Sequence, residues 1–240
     1  MDILKMNKNE ILSIFPGEIS KVLKTKEIIH IAKVLGAFWS YDYDAAEHGF
    51  CEKHFLFGSN IHTDGFFMLQ ELLKYPNIRM IMAEQLLFNF DSLGIDDPDW
   101  VAGISDDSIE LAKDLALLFR SKFARMEKIK GRISLQTVIP PGERILLVEA
   151  LCTRGINFFE AVHSIFSVNK AVHILPYELV LINRGDLRDI NILNMGLFQV
   201  VAVAEYKINS WKEKDCPLCK HGSIPVLLEG KNRTSQSSKF

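Results

Sequence analysis

No stretch of this sequence approaches the roughly 20 consecutive apolar residues needed to cross a bilayer. No charge of one sign dominates either: 28 Lys and Arg stand against 30 Asp and Glu, a formal net charge of −2. The first absence argues against a membrane span, and the second against the basic field that nucleic acid or an acidic membrane surface requires. Only 4 of the 240 residues are cysteine, too few in a chain of this length for a disulfide scaffold. The opening residues, MDILKMNKNE, lack the charged-then-apolar pattern of a secretory signal. Internal repeats are missing, and low complexity is confined to the tail after Leu228, where residues 229–240 read as disordered. The expectation is a reduced, cytoplasmic protein. With 48% hydrophobic and 24% charged residues, the chain has the balance of one that buries a sizeable core.

The first third is helical and aromatic. Thr25 is placed to cap a helix with Ile28, Ile29, Ala32 and Leu35 on one face, ended by Gly36. A second helix runs from Ile78 through Met82, Leu86 and Phe90 to Gly94. Beyond it the rhythm changes. The short apolar run Trp100-Val101-Ala102 meets a polar turn, Ser105-Asp106-Asp107-Ser108, and a helix follows with Leu111, Ala112, Leu115, Leu118 and Phe119 on its buried face. Lys122 to Glu127 reads as a strand, and so do Arg144 to Glu149, Tyr177 to Ile182 and Phe198 to Ala204; a helix carrying Phe158, Phe159, Val162, Ile165 and Phe166 lies among them. Strands alternating with helices imply an α/β fold, a mostly parallel five-stranded sheet flanked by helices. Ligands of such sheets bind beyond the carboxyl ends of the strands, which puts 103–108 and 150–157 on one rim.

The segment ILLVEALCTRGIN, residues 145–157, carries the sharpest chemistry. A buried strand delivers Glu149 to the rim, and a turn with Thr153, Arg154 and Gly155 opens a helix directly behind it. Free amides and the positive end of a helix suit a phosphate there, and the carboxylate suits vicinal ribose hydroxyls. This segment resembles the phosphoribosyl-pyrophosphate loop of the type I phosphoribosyltransferases. Three more segments resemble the orotate branch of that family, in the right order: HFLFGSNIHTDGFF (54–67) its N-terminal hood, VAGISDDSIELAKDLA (101–116) its pyrophosphate loop and helix, and LINRG (181–185) the strand end whose Arg meets the base. CPLCKHGSIP (216–225) resembles a C-terminal element of one bacterial and archaeal subgroup.

The resemblance implies a single domain over 1–228, with a core over about 77–204 and a small hood from about 37–70 and the C-terminal strand region 205–228. It implies Mg²⁺-dependent transfer of 5-phosphoribose from phosphoribosyl pyrophosphate to a pyrimidine base such as orotate, in a homodimer. Carried over by position, Glu149, Lys128 and Lys130 are the catalytic candidates. Ser105, Glu149, Thr153, Arg154, Gly155 and Asn157 would hold phosphoribosyl pyrophosphate, and Arg184, Phe66 and Phe67 the base. Phe66 and Phe67 read equally as core strand residues.

The chain departs from the family pattern at several of these places. The second acid of the loop is Ala150, Arg154 stands at the second Thr, and Asn157 replaces a small hydroxyl residue. Asp106 and Asp107 occupy a normally glycine-rich loop; they either repel a diphosphate or cap the helix, and capping is the simpler reading. The catalytic loop, MEKIKGRISLQ, has Lys128, Lys130 and Arg132 but no His-Gly pair, and reads equally as a solvated hairpin. Gly58 and Asn60 flank Ser59 where the hood has Lys and Gly. A catalytically weak or inactive nucleotide-binding protein on the same fold is the alternative.

Cys216-Pro-Leu-Cys219 has the spacing of a zinc knuckle, and Cys51-Glu-Lys-His54 the same gap. A zinc site at Cys51, His54, Cys216 and Cys219 is one reading; free thiols without metal are the other, and the simpler. Cys152 reads as a packed small hydrophobe, and His30, His163 and His173 as structural.

Overall fold

The computed structural model describes residues 1–48, 53–57 and 60–227. Cys51, Ser59 and the tail 229–240 lie outside the described residues. In chain order the helices are α1 (Lys8–Leu12), α2 (Thr25–Val34), α3 (Tyr43–Glu47), α4 (Leu69–Leu73), α5 (Pro76–Asp91), α6 (Ile109–Phe119), α7 (Ile156–Val168) and α8 (Pro217–Lys220). The strands are β1 (Phe38–Ser40), β2 (Lys53–Phe57), β3 (Ile61–Thr63), β4 (Gly65–Phe67), β5 (Trp100–Gly103), β6 (Lys122–Ala124), β7 (Met126–Ile129), β8 (Arg132–Leu135), β9 (Arg144–Cys152), β10 (His173–Asn183), β11 (Asp189–Ile192), β12 (Gly196–Glu205), β13 (Ser210–Lys212) and β14 (Ile224–Leu227).

The chain divides into two compact units. The first, Met1–Phe38 with Met68–Lys207, is built on a six-stranded sheet in the order β11-β12-β10-β9-β5-β6. Five of its strands are parallel, and β11 is an antiparallel edge added to β12. The parallel strands are those the apolar runs announced; β11 was not foreseen, because DINI is short and half polar. Strand β9 lies at the centre, and seven of its nine residues are buried. That is how a strand covered on both faces reads in sequence, as a continuous apolar run.

Helix α7 lays Phe158, Ala161, Val162 and Ile165 against this sheet, all at 0% exposure, with i, i+3, i+4, i+7 spacing. They join Ile145 and Leu147 of β9 and Phe198 of β12 in one core cluster, where the Phe158 and Phe198 rings meet edge to face, 5.2 Å between centroids. Lys122–Glu127 is not one strand: the chain leaves β6 at Arg125 and enters an antiparallel hairpin, β7-β8. Its turn, Lys130-Gly131, has φ of 51° and 81°, the left-handed pair of a tight two-residue hairpin. Strand β8 is tied to α7 by the Ile133 and Leu135 amides, which donate to Glu160 Oε2 at 3.2 Å and Ser164 Oγ at 2.8 Å. At α2, Lys24 is the N-cap rather than Thr25, because Glu27 Oε2 reaches back to the Lys24 amide at 2.8 Å.

The second unit, Trp39–Phe67 with the segment from Ile208 onward, is a four-stranded sheet in the order β13-β3-β2-β14. β2, β3 and β13 are antiparallel neighbours, and β14 runs parallel to β2.

Adjacent residues of α7 provide a stability test. Phe158→Ala should cost about 3–5 kcal/mol through the cavity it leaves. Phe159→Ala, at a position 46% exposed, should cost under about 1 kcal/mol. Denaturant unfolding of the two variants beside the parent protein checks the difference.

Candidate functional site

Strand β9 ends at Cys152, and α7 begins at Ile156. Thr153, Arg154 and Gly155 form the turn between them. Gly155 is the N-cap of α7 with φ 67°. A Cβ at this position would fall 2.6 Å from Ile190 Cδ1, so both conformation and packing demand glycine. Arg154 is exposed and does not fill the turn. The amides that open α7 have no partner within the helix and no side-chain cap, the feature a phosphate cradle needs.

The turn after β10 is packed onto this one. Arg184 N–H donates to the Cys152 carbonyl at 2.9 Å. Gly185 lies so close to the Thr153 carbonyl that a Cβ would stand 1.8 Å from its oxygen. Asn183, buried at 2% exposure, holds this second turn from inside: its Nδ2 donates to Leu187 O at 2.7 Å and its Oδ1 accepts from the Gly185 amide at 3.1 Å. The turn carrying Arg184 is therefore brought directly beside Thr153–Gly155.

The third rim segment joins through two hydroxyls. Ser105 Oγ meets Ser108 Oγ, and Ser108 Oγ accepts the Ala150 amide at 2.8 Å. The bend is tight enough that a Cβ on Gly103 would lie 2.5 Å from Ser108 O. Asp106 and Asp107 form a 3-10 turn before α6, and neither Ser105 nor Ser108, the N-cap residues, makes a side-chain cap. No side-chain cap by either Asp is seen among the described residues. The capping reading reduces to negative charge near the start of a helix, a favourable but weaker interaction.

Glu149 departs from expectation. The strand was expected to stop there; it continues for three residues because Val180, Ile182 and Asn183 of β10 pair with Glu149, Leu151 and Cys152. The Glu149 side chain is 2% exposed and accepts Asn157 Nδ2 at 2.6 Å. So Asn157, expected on a phosphate, turns instead to the carboxyl group. Glu178, at 0% exposure, stands beside them: Glu149, Cys152 and Glu178 bring their side-chain ligand atoms within 4.8 Å of one another. Burial, then the charge of Glu149, raise the Glu178 pKa well above the usual carboxylate range. Burial also raises that of Glu149, opposed by hydrogen bonds from Glu178 and Asn157. Two buried carboxyls in contact cannot both ionise, so Glu178 keeps its proton and offers it to Glu149. Burial and these two acids push the Cys152 thiol up as well, in keeping with a packed, inert cysteine.

Other expected residues are not gathered at the turn. Lys128 and Lys130 are exposed on the β7-β8 hairpin, and no hydrogen bond or ion pair ties them to residues 153–157 among the described residues. Phe66 belongs to the second unit, where it is 5% exposed and packs against Trp39 and Phe55 at centroid distances of 6.0 and 4.6 Å. Of the two readings open for Phe66, the structure gives the packed one; Phe67 is half-buried. His54, Cys216 and Cys219 do come together, and His62 joins them among the described residues; Cys51 lies outside the described residues. Sequence reading missed Ser108, Asn183, His62 and Glu178. Only Glu178 carried a signal, a carboxylate inside the apolar strand YELVLIN.

The carboxyl pair makes stability depend on pH with a defined sign. Glu178 has a higher pKa folded than unfolded, so its contribution is complete below the unfolded value of about 4.3 and is lost as pH rises through the folded value. Glu178→Gln keeps the shape with no proton to release. Its thermal midpoint, relative to the parent protein, should rise progressively as pH increases above about 4.3. Thermal melts of both proteins over a pH series test this, and parallel profiles would contradict the shared proton.

No family model matches the chain. The orotate phosphoribosyltransferase of Caldanaerobacter subterraneus is 27% identical over 182 residues, spanning 75% of this chain and 90% of that protein. That of Caldicellulosiruptor bescii is 27% identical over 184 residues, 76% of this chain and 90% of its own length. Among solved structures, orotate phosphoribosyltransferase from Aeropyrum pernix superposes with a TM-score of 0.54 at 18% identity, over 73% of this chain and 92% of that one. The UMP synthase of Leishmania donovani superposes with a TM-score of 0.50 at 18% identity, over 68% of this chain and 35% of that one. The structural likenesses bear on the fold, and the sequence likenesses on the branch. This chain has the type I phosphoribosyltransferase fold and is orotate phosphoribosyltransferase-like over three quarters of its length.

Proposed function

We propose that this chain binds phosphoribosyl pyrophosphate and transfers its 5-phosphoribosyl group to a pyrimidine base such as orotate, releasing pyrophosphate. A nitrogen of the base bonds to C1 of the ribose as the bond from C1 to the diphosphate oxygen breaks. The observation that carries this reading is the β9-turn-α7 unit, with Gly155 in the left-handed conformation as the N-cap of α7 and no side chain capping the helix start. Thr153, Arg154 and Gly155 would hold the 5′-phosphate, and Ser105 would lie toward the pyrophosphate. Arg184, placed beside the turn by its amide bond to Cys152, would read a carboxylate or carbonyl of the base. Such a reaction asks the protein to position two ligands and stabilise spread charge, and needs no covalent nucleophile. A homodimer in a reduced cytoplasm accompanies the proposal, resting on the resemblance; no helix among the described residues is long and apolar enough to cross a membrane.

The resemblance also implies Mg²⁺, and the carboxyl groups near β9 do not fit it. Mg²⁺ keeps several waters and takes open, ionised carboxylates, whereas Glu149 and Glu178 are buried and share a proton. Asp106 and Asp107 stand on the same rim, and an ion there would arrive with the diphosphate.

A second reading, nucleotide binding with little turnover, is favoured by the same buried pair. Ala150 supplies no carboxylate, and Glu149 is turned inward to Glu178 and Asn157. Losing one preorganised charge contact with a transition state costs about 3 kcal/mol, or a hundredfold or more in rate, while ground-state binding by the turn survives.

Calorimetric titration with phosphoribosyl pyrophosphate, a nucleoside monophosphate and orotate, paired with a pyrophosphate-release assay, tests both readings. Binding is expected, with turnover at least about a hundredfold below an ordinary 10 per second. An ordinary rate refutes the second reading, and absence of binding refutes both. Arg184→Ala should weaken orotate or nucleotide affinity at an unchanged thermal midpoint; equal affinity would remove Arg184 from the base site.

A further inference from the structure

The second unit gathers four metal-ligating side chains around one point, three of them buried and Cys219 half-buried, well apart in sequence from the phosphoribosyl turn. His54 comes from β2 and His62 from β3. His62 pairs opposite Leu56 in this antiparallel ladder, so His54, two residues before Leu56, projects from the same face. Cys216 and Cys219 flank the first turn of α8, the two-residue gap placing both thiols on one side. Exposure is 0% for His54, 2% for His62 and 0% for Cys216, and the four ligand atoms lie within 4.8 Å of one another.

The distances suit a single tetrahedral ion. Zinc bonds of about 2.3 Å to sulfur and 2.0–2.1 Å to nitrogen place tetrahedral S and N ligands roughly 3.6 Å apart. Cys216 Sγ lies 3.7 Å and Cys219 Sγ 3.6 Å from His54 Nε2, and Cys219 Sγ lies 3.3 Å from His62 Nδ1. The two imidazole nitrogens are 2.7 Å apart, and a shared zinc would hold them at roughly 3.3 Å, a change that small rotations of two side chains supply.

The surroundings are those of a ligand set. His54 Nδ1 lies 2.9 Å from Ser223 Oγ; donating its proton there, the ring presents the Nε2 lone pair to the thiols, the usual way a second partner orients a ligating histidine. The stability of the unit raises the same demand. It comprises about 60 residues in two segments, a size at which an apolar core alone gives marginal stability and a metal commonly supplements it. Its apolar cluster of Tyr41 and Leu218, with Trp39, Ala46 and Trp211 against it, includes Cys216 and Cys219 themselves. Two buried imidazoles, a buried thiol and a half-buried one are gathered at one point, and one ion bound by all four would offset their lost hydration together.

We propose that His54, His62, Cys216 and Cys219 form a structural zinc site that ties the β2-β3 hairpin to α8. Two thiolates with two imidazoles in tetrahedral array select zinc over magnesium or calcium, and four protein ligands leave no open position for catalysis. The site closes a chain excursion of more than 150 residues between His62 and Cys216, and it does not depend on what the phosphoribosyl turn binds.

Elemental analysis of the full-length protein, purified without chelator, loaded with excess zinc and desalted, should give about one zinc per chain. Cobalt in its place should show the intense visible bands of a tetrahedral thiolate site, and chelation should lower the thermal midpoint. Cys51→Ser should keep the metal, whereas His62→Ala and Cys219→Ser should lose it. Less than half an equivalent of zinc after loading overturns the proposal. Loss of zinc in Cys51→Ser with retention in His62→Ala overturns this ligand set. Should a variant fail to fold, the cobalt spectrum of the parent protein decides between a tetrahedral thiolate centre and none.

Discussion

Strand β9 is hydrogen-bonded on both sides, to β5 over Ile145–Val148 and to β10 from Arg144 to Cys152 with one register shift between Ile174 and Glu178. An unpaired amide or carbonyl inside an apolar sheet is costly, so once these ladders form, the end of β9 and the direction in which α7 leaves it are set. The three rim segments depend on this strand. The Ala150 amide donates to the Ser108 hydroxyl, the Cys152 carbonyl accepts the Arg184 amide, and the Thr153 carbonyl presses on Gly185. The Thr153 carbonyl beside Gly185 and the Ser108 carbonyl beside Gly103 leave no room for a side-chain carbon, which explains glycine at 103 and 185 without appeal to flexibility.

The same rigidity accounts for the unusual treatment of Glu149. In a strand that stopped at this residue, the carboxylate would lie at the rim, solvated and ionised. Here the strand continues, and the residue has protein on both sides. Its charge is then supportable only with a proton or a donor at hand, and Glu178 and Asn157 provide them. The Glu149 carboxyl is thus part of an internal group with Glu178 and Asn157, spanning β9, β10 and the first turn of α7. Such a group costs little while satisfied and is hard to ionise.

The second unit solves a different physical problem. Its strands are short, three to five residues, and its apolar content is concentrated in a few rings: Trp39, Phe55 and Phe66 meet at 4.5–6.0 Å. Asp64 compensates for the irregular backbone, accepting from the Asn209 amide, the Asn209 side chain and the Tyr43 hydroxyl at 2.7–2.8 Å. Burial and that carboxylate together raise the Tyr43 pKa, so the hydroxyl stays a donor. Polar anchoring of this kind, with aromatic packing, holds a small sheet whose core is thin.

Local pattern alone determined the alternation of strands and helices, the five parallel strands, and the strand-turn-helix at 144–168, since a doubly covered strand must be continuously apolar and a phosphate-type turn must carry glycine. It also placed Arg184 at a strand end and marked Cys216 and Cys219 as a pair. Tertiary structure decided everything that depends on a neighbour distant in sequence. The edge strand β11 exists because β12 offers it a ladder. Glu149 is buried because Val180 and Asn183 extend the pairing of β9, and Phe66 is a core ring because Trp39 and Phe55 surround it. The fourth member of the thiol-imidazole cluster is His62 because an antiparallel register, which no spacing rule reveals, puts it on the face of His54. Periodicity reports which side of an element is covered; only the register between elements reports by what.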